Sequence, residues 1–281
     1  MRISIAGLGV MGKNHLRVAK KKRFEINSIY DPETHDMEYE EFIVSLKNSD
    51  GLIISSPTKY HVDIICDAML ENRNLKILCE KPVTDKISDN RLGKIIKKYN
   101  NSILIGQIER FNPVCMAIKD LLREHQEIIQ IKTKRVGNTP AREKIACRKD
   151  IGIHDLDFCC FIAEKIPEKI NIISDDRNFH ENLYYNIDKT HVCNEVSWRY
   201  PKKDRTFEIL TENGLFMGHF YNQTLEFVDW TGISREIKIE KQEPLFYELQ
   251  HFSEMIKNGD RPKVKVSDNL NLLSLLEFGK L

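Results

Sequence analysis

The segment Gly7-Leu8-Gly9-Val10-Met11-Gly12 follows an apolar run, Arg2 to Ala6, and opens a helical stretch, Met11 to Lys22. G-x-G-x-x-G between a strand and a helix admits few folds. The first glycine makes the tight turn, the second lets a pyrophosphate approach the backbone, and the third lets the helix pack on the strand. The helix start then presents free N–H groups and the positive end of its dipole to the phosphates. The competing reading is a plain glycine turn before a helix. Asp31 ends the next strand, Ile26 to Tyr30, and stands roughly 20 residues further on, where an acidic side chain accepts the adenosine ribose hydroxyls. A turn or helix-cap role is its alternative. A carboxylate there repels a 2′-phosphate, and Pro32 and Glu33 bring no arginine to hold one. NAD is therefore expected in preference to NADP.

The next segments keep alternating. Glu38–Leu46 reads as a short helix, Gly51–Ser55 as a strand, Lys59–Glu71 as a helix, Leu75–Cys79 as a strand, Asp89–Tyr99 as a helix and Ser102–Gly106 as a strand. Strands alternating with helices imply a doubly wound parallel sheet. Beyond Gly106 the pattern changes. Helices are expected at Pro113–Glu124, Asp150–Ala163, Leu245–Lys257 and Asp268–Phe278, with a long strand at Glu127–Arg135. Between Lys169 and Ile239, strand-like runs include His191–Tyr200, Arg205–Thr211, Leu215–Tyr221 and Leu225–Trp230. Short turns such as Glu212-Asn213-Gly214 make that sheet mostly antiparallel. The expected architecture is α/β: a Rossmann domain over 1–108, then an α+β domain with an open sheet over 109–281. The uncovered face of such a sheet calls for a partner subunit, hence a homo-dimer or homo-tetramer.

Lys plus Arg is 43 and Asp plus Glu is 42, a net charge of +1. There is no global pull toward nucleic acid or an anionic membrane. The basic run Lys20 to Arg23 closes a helix, where cations suit the dipole. Seven cysteines without a Cys-x-x-Cys pair argue against a disulfide framework or zinc ribbon and for reduced thiols. The chain opens on its first strand without an apolar leader, and no run reaches membrane-spanning length. A cytoplasmic protein is expected.

Four further segments accompany the glycine loop: Pro57-Thr58-Lys59-Tyr60-His61, Glu80-Lys81-Pro82, Arg110-Phe111-Asn112-Pro113 and Asp150-Ile151-Gly152-Ile153-His154-Asp155. Together they resemble the glucose-fructose oxidoreductase / inositol dehydrogenase (Gfo/Idh/MocA) family, as does the closing stretch from Glu243-Pro244-Leu245 to Asp268. The resemblance implies a Rossmann domain followed by an open-sheet domain, and a catalytic group at Lys81, Asp150 and His154. Chemistry supports the same residues. Oxidising a secondary alcohol takes a hydride from carbon and a proton from oxygen; neutral histidine is a suitable base, and an ammonium stabilises the developing alkoxide. Asp150 and His154 stand at i and i+4, on one face of a helix. Asp150 either caps that helix, orients the imidazole or bonds the substrate. Cofactor contacts are assigned to Gly7, Leu8, Gly9, Val10, Met11, Gly12, Asp31, Ser55, Pro57, Thr58, His61, Glu80, Lys81 and Gln107. Thr58 has a helix-start role as its alternative. Substrate contacts are assigned to Lys81, Arg110, Asn112, Asp150 and His154; Arg110 is equally suited to pairing with a carboxylate. No metal is expected, although Asp150, His154 and Asp157 have helical spacing.

Gln107 to Pro113 and Ser197-Trp198-Arg199-Tyr200-Pro201-Lys202-Lys203-Asp204-Arg205 resemble the nucleotide-sugar branch of the family, the UDP-N-acetylglucosamine 3-dehydrogenases. That implies oxidation of a sugar 3-hydroxyl to a 3-keto-sugar, with Arg110, Arg135, Arg142 and Lys202 as candidate diphosphate contacts. The alternatives are a free sugar, inositol or polyol as substrate, and a non-catalytic NAD-binding sensor, which would need no general base. Two departures bear on the substrate pocket: the stretch from Ile172 to His191 is compact, and Ala146 to Lys149 has no glycine.

Overall fold

The computed structural model of the protein describes residues 1–34, 36–122, 127–138 and 145–281. In its first hundred residues β1 (Arg2–Ala6), α1 (Val10–Lys21), β2 (Glu25–Tyr30), α2 (Tyr39–Ser45), β3 (Gly51–Ile54), α3 (His61–Glu71), β4 (Lys76–Glu80), α4 (Arg91–Tyr99) and β5 (Ile103–Gly106) alternate. The five strands form one parallel sheet in the order β2-β1-β3-β4-β5. β3 and β5 are buried along their whole length, as strands covered on both faces must be. A buried cluster of serines at this sheet is satisfied internally. Ser4 Oγ lies 2.7 Å from Ser28 Oγ and 2.7 Å from Ser49 Oγ.

The chain continues through α5 (Pro113–Leu122), β6 (Ile128–Asn138), α6 (Ile153–Ala163), β7 (Asn171–Ser174), β8 (His180–Ile187), β9 (Thr190–Ser197), β10 (Arg199–Thr211), β11 (Gly214–His219), β12 (Thr224–Asp229) and β13 (Ser234–Ile237). The eight strands form a sheet in the order β13-β12-β11-β10-β6-β9-β8-β7. Every pairing is antiparallel except β6 with β9. The α/β reading, with a mostly antiparallel second sheet, therefore holds. β7, β8 and β13 were not singled out from sequence. The run His191–Tyr200, expected as one strand, is two: the chain leaves β9 on one side of β6 and enters β10 on the other, turning at the buried Trp198. The Ser197–Arg205 segment quoted for the nucleotide-sugar resemblance thus starts at this crossover and runs on into β10. Glu124, the expected end of the helix from Pro113, lies outside the described residues.

One face of this sheet carries the core. Phe158 of α6 packs against Phe207 and Phe220, with ring centroids 4.9 and 5.0 Å away. Gly218 makes room for this: a Cβ there would come within 2.0 Å of the Phe207 ring. On the other face Lys134 reaches Glu195 at 3.1 Å, and both side chains keep about a quarter of their surface exposed.

Two helices, α7 (Pro244–Asn258) and α8 (Val266–Phe278), close the chain. They divide differently from the continuous second domain drawn over 109–281. One compact unit comprises Met1–Gln107 and Leu245–Leu270, the other Ile108–Pro244 and Asn271–Leu281. The reason is apolar packing. Leu249, Phe252 and Met255 of α7 are fully buried, and a Cβ on Gly51 would lie 2.7 Å from Ile256 and 2.8 Å from Phe252. Among the described residues no helix is long and apolar enough to cross a membrane.

Candidate functional site

The glycine loop joins β1 to α1, and each glycine has its own reason. Gly7 has φ +93°, and a Cβ there would strike the Ser56 backbone at 2.5 Å. A Cβ on Gly12 would lie 2.0 Å from the Gly7 carbonyl oxygen. At Gly9 a Cβ would meet nothing within 4 Å, so that glycine leaves space beside the backbone. Gly9 caps α1 without a side-chain hydrogen bond, and no acidic residue stands in the first turn. The N–H groups at this helix start are therefore offered outward. Val10 beside them is 82% exposed, while Leu8 is buried and Met11 half-buried.

Asp31 follows β2 and turns its carboxylate onto the loop. Oδ2 accepts the Leu8 N–H at 2.6 Å; Oδ1 accepts the Thr34 hydroxyl at 2.9 Å and the Glu33 N–H at 3.1 Å. Burial works to raise its pKa, but these bonds outweigh it and hold the group below the ordinary aspartate value. The carboxylate thus sits beside the glycine loop as an anion, and it also performs the turn role kept open above.

Ser55 donates its hydroxyl to the Gly7 carbonyl at 2.9 Å. Pro57 is the N-cap of a short 3-10 turn, Thr58–Tyr60, which has no side-chain cap hydrogen bond. His61 is 1% exposed, with Nε2 2.8 Å from the Ser56 carbonyl and Nδ1 3.0 Å from the Pro82 carbonyl. Burial lowers its pKa against those two bonds. The ring pins the loop after β3 to the segment after β4. The Ser56 hydroxyl and both side-chain amide atoms of Gln107 are buried and unbonded. Such orphans cost about 1–3 kcal/mol each. Loop space, uncapped helix start and orphaned groups together fit a dinucleotide. Ser56 was not nominated from sequence; its neighbours Ser55 and Pro57 were.

Glu80 is the last residue of β4 and Lys81, half-buried, follows it. His15 Nε2 lies 2.8 Å from Glu80 Oε1. His15 escaped the sequence reading, although its place three residues after Gly12 puts it one helical turn on.

In the second unit Asp150 and His154 are both half-buried and four residues apart. Asp150 lies within a π-helical turn, Arg148–Gly152, that leads directly into α6. The N-cap of α6 is Gly152, so the N-cap alternative for Asp150 does not hold. π-turns inside helices are rare and concentrate at functional sites. This one is held by Glu181 of β8, fully buried. Its carboxylate accepts the Arg148 N–H at 2.8 Å and the Ser174 hydroxyl at 2.7 Å, and meets the Arg148 guanidinium and the Cys147 thiol. Arg148 Nε also donates to the Leu276 carbonyl at 2.8 Å. No local sequence pattern marked Glu181.

Arg110 grips Asp157 with two bonds of 2.8 Å, the carboxylate pairing kept open for it; the same bonds occupy Asp157, the third member of the helical metal spacing. Asn112 is 2% exposed and donates to Glu109 and to the Phe220 carbonyl. It also borders a cavity of ≈ 540 Å³ shared with Arg205, Gln223 and Lys241. Arg135 is buried between Glu109 and Asp155, at 2.9 and 2.8 Å. Of the four candidate diphosphate contacts, Arg110 and Arg135 are therefore engaged internally, Lys202 is exposed, and Arg142 lies outside the described residues.

Residues 1–107 match the sequence model of a family described as an oxidoreductase family with an NAD-binding Rossmann fold. The rhizopine catabolism protein MocA of Rhizobium meliloti is 28% identical over 200 residues, 63% of this chain and 62% of that protein. The chain thus matches less than two thirds of that relative's length. The NAD(+)-dependent scyllo-inositol 2-dehydrogenase of Bacillus subtilis strain 168 is 25% identical over 243 residues, 76% of this chain and 70% of that one. Among solved structures, UDP-N-acetylglucosamine 3-dehydrogenase GnnA of Acidithiobacillus ferrooxidans shares the fold with a TM-score of 0.84, at 17% identity over 98% of this chain and 94% of that one. The glycine loop and the parallel sheet agree with the family match: over residues 1–107 the chain is similar to the Gfo/Idh/MocA oxidoreductase family with its NAD-binding Rossmann fold.

Proposed function

We propose that the protein is an NAD-dependent dehydrogenase that oxidises a secondary hydroxyl of a sugar, the leading substrate being the 3-hydroxyl of a UDP-N-acetylhexosamine. The observation that carries the reading is the glycine loop: space at Gly9, an uncapped helix start and the Asp31 carboxylate beside Leu8. That carboxylate is the reason to prefer NAD over NADP. The leading substrate is supported by the resemblance of the segments around Arg110 and Trp198. A polyol substrate is the second reading, supported by the likeness to scyllo-inositol 2-dehydrogenase.

In this reading His154 takes the proton of the reacting hydroxyl. Asp150, one turn earlier, orients the imidazole or bonds the sugar. The Lys81 ammonium stabilises the alkoxide as it forms. NAD, when bound, supplies the acceptor for the hydride. Asn112 contributes from the wall of its cavity, and Arg110 contributes a substrate contact only where the sugar competes with Asp157. The half-exposed face of the eight-stranded sheet is the proposed contact between subunits of a homo-oligomer. Seven free thiols fit a reducing, cytoplasmic setting.

The test is NADH absorbance with purified protein, NAD and a panel of UDP-sugars, free sugars and inositols. A rise with UDP-N-acetylglucosamine or a close relative alone is expected. A rise with unphosphorylated polyols alone replaces the substrate and keeps the dehydrogenase. His154→Ala is expected to lose about 10²–10⁴ in turnover; full turnover in a folded variant removes the general base.

A further inference from the structure

The first unit holds a buried cluster in which only Glu80, a candidate cofactor contact, has an assigned role. His15 on α1, Glu80 at the end of β4 and Glu248 on α7 bring a ring nitrogen and two carboxyl groups within 4.8 Å of one another. His15 and Glu248 are 0% exposed. Nδ1 of His15 and both carboxyl oxygens of Glu248 have no hydrogen-bond partner. Buried groups in that condition call for an explanation. His15 and Glu80 are the groups that face Glu248 within the cluster. Two carboxyl groups this close, away from water, are costly to charge together. Burial, and then the neighbouring Glu80, push Glu248 well above the usual carboxyl value. The protonated form of Glu248 is thus favoured; neither of its oxygens makes a hydrogen bond, and the Glu80 carboxyl group stands within 4.8 Å of it.

What Glu80 does for the site follows from its place. Its carboxyl group lies across Gly106 of β5, where a Cβ would meet Oε2 at 3.3 Å. Two residues on, the Pro82 carbonyl faces His61 at 3.0 Å. Lys81 stands between these two held neighbours. We propose that His15 and Glu248 are positioning residues: His15 holds the Glu80 carboxyl group by a hydrogen bond, Glu248 confines it by packing within 4.8 Å, and together they fix Lys81 in the direction the reaction needs. This rests on the reading of Lys81 as a catalytic residue.

The test uses Glu248→Ala, Glu248→Gln and His15→Ala in the full chain. The first readout needs no substrate: the rate at which acetic anhydride labels Lys81, by peptide mass spectrometry, with the other lysines as reference. The second is turnover of UDP-N-acetylglucosamine and of scyllo-inositol with NAD. Glu248→Ala and His15→Ala are expected to change Lys81 labelling severalfold and to lower kcat about tenfold or more while the KM for NAD holds. Glu248→Gln, neutral and of the same shape, restores both to within about twofold. The third readout is Tm against pH. Native Glu248 keeps a proton that the unfolded chain releases above about pH 4.3. Wild-type stability therefore falls as pH rises through that window, a slope that glutamine lacks. The Tm of Glu248→Gln should exceed that of wild type by a margin that grows with pH.

Unchanged Lys81 labelling in both His15→Ala and Glu248→Gln, with Glu248→Ala either unchanged or unfolded, overturns the proposal. So does a Glu248→Gln protein that is less stable than wild type and has lost a stoichiometric divalent metal found in wild type by elemental analysis. The two readings fail separately. Full turnover in Lys81→Ala removes the catalytic lysine while the labelling still judges the cluster. An inactive Lys81→Ala beside normal labelling in the cluster variants removes the cluster alone.

Discussion

The two candidate regions are built by opposite means. In the glycine loop every constraint comes from the segment between Gly7 and Ser56, all of it within the parallel-sheet unit. Gly12 makes room for the Gly7 carbonyl, and Asp31 reaches back to Leu8 across one β-α-β unit. The π-turn that carries Asp150 is held from far along the chain: Glu181 is 33 residues from Arg148, and Leu276 is 128 residues away. A loop written in its own spacing survives changes elsewhere. A turn assembled from distant strands depends on one buried carboxylate.

The largest effect is therefore expected at Glu181. Truncation to alanine leaves the Arg148 guanidinium without its buried partner, which costs about 3–5 kcal/mol. Urea unfolding should show that loss in the second unit, while NADH titration of the native protein stays close to wild type. NADH affinity that falls as far as stability does would erase the contrast.

Next come the glycines, which separate packing from binding within one loop. Gly12→Ala forces a methyl to 2.0 Å from the Gly7 carbonyl and should destabilise the free protein by about 1–3 kcal/mol. Gly9→Ala meets no protein atom within 4 Å, so stability should stay within about 0.5 kcal/mol. Its methyl fills space that a pyrophosphate needs, and NADH should bind about tenfold more weakly, roughly 1.4 kcal/mol. Equal NADH binding in Gly9→Ala and wild type would move the phosphates elsewhere.

The same contrast explains what could be read in advance. The strand–glycine–helix order, the parallel sheet and the change to an antiparallel sheet after Gly106 are properties of periodicity and spacing, which a linear text preserves. Asp150 to Gly152 of the π-turn falls inside the stretch whose pattern predicts a plain helix, and nothing local in the sequence signals Glu181, the distant carboxylate that binds Cys147 and Arg148 at the start of the turn. Trp198 was read inside a strand because its flanks are strand-like, and only the crossing over β6 makes it a corner. The second domain was drawn without interruption because α7 shows an apolar stripe but not the sheet it will cover. His15 was passed over because a lone histidine on a helix has no partner until β4 brings Glu80 to it.

The smallest expected effect tests the local side of the comparison through pH. Asp31 has a folded pKa below its ordinary value: burial raises it, and the bonds from Leu8, Thr34 and Glu33 lower it further than burial lifts it. A depressed carboxyl contributes stability that is present above the unfolded value, about 3.9, and is lost as pH falls through the folded value. Asp31→Asn removes that contribution and sets an amide where Leu8 needs an acceptor. Its Tm should fall below wild type near neutral pH, and the gap should narrow as both proteins are taken below about pH 4. Because the same carboxylate repels a 2′-phosphate, the variant should also bind NADPH better relative to NADH. A constant Tm gap across that range would mean that the anion does no more for the loop than a neutral turn residue does. The preference for NAD would then need another cause.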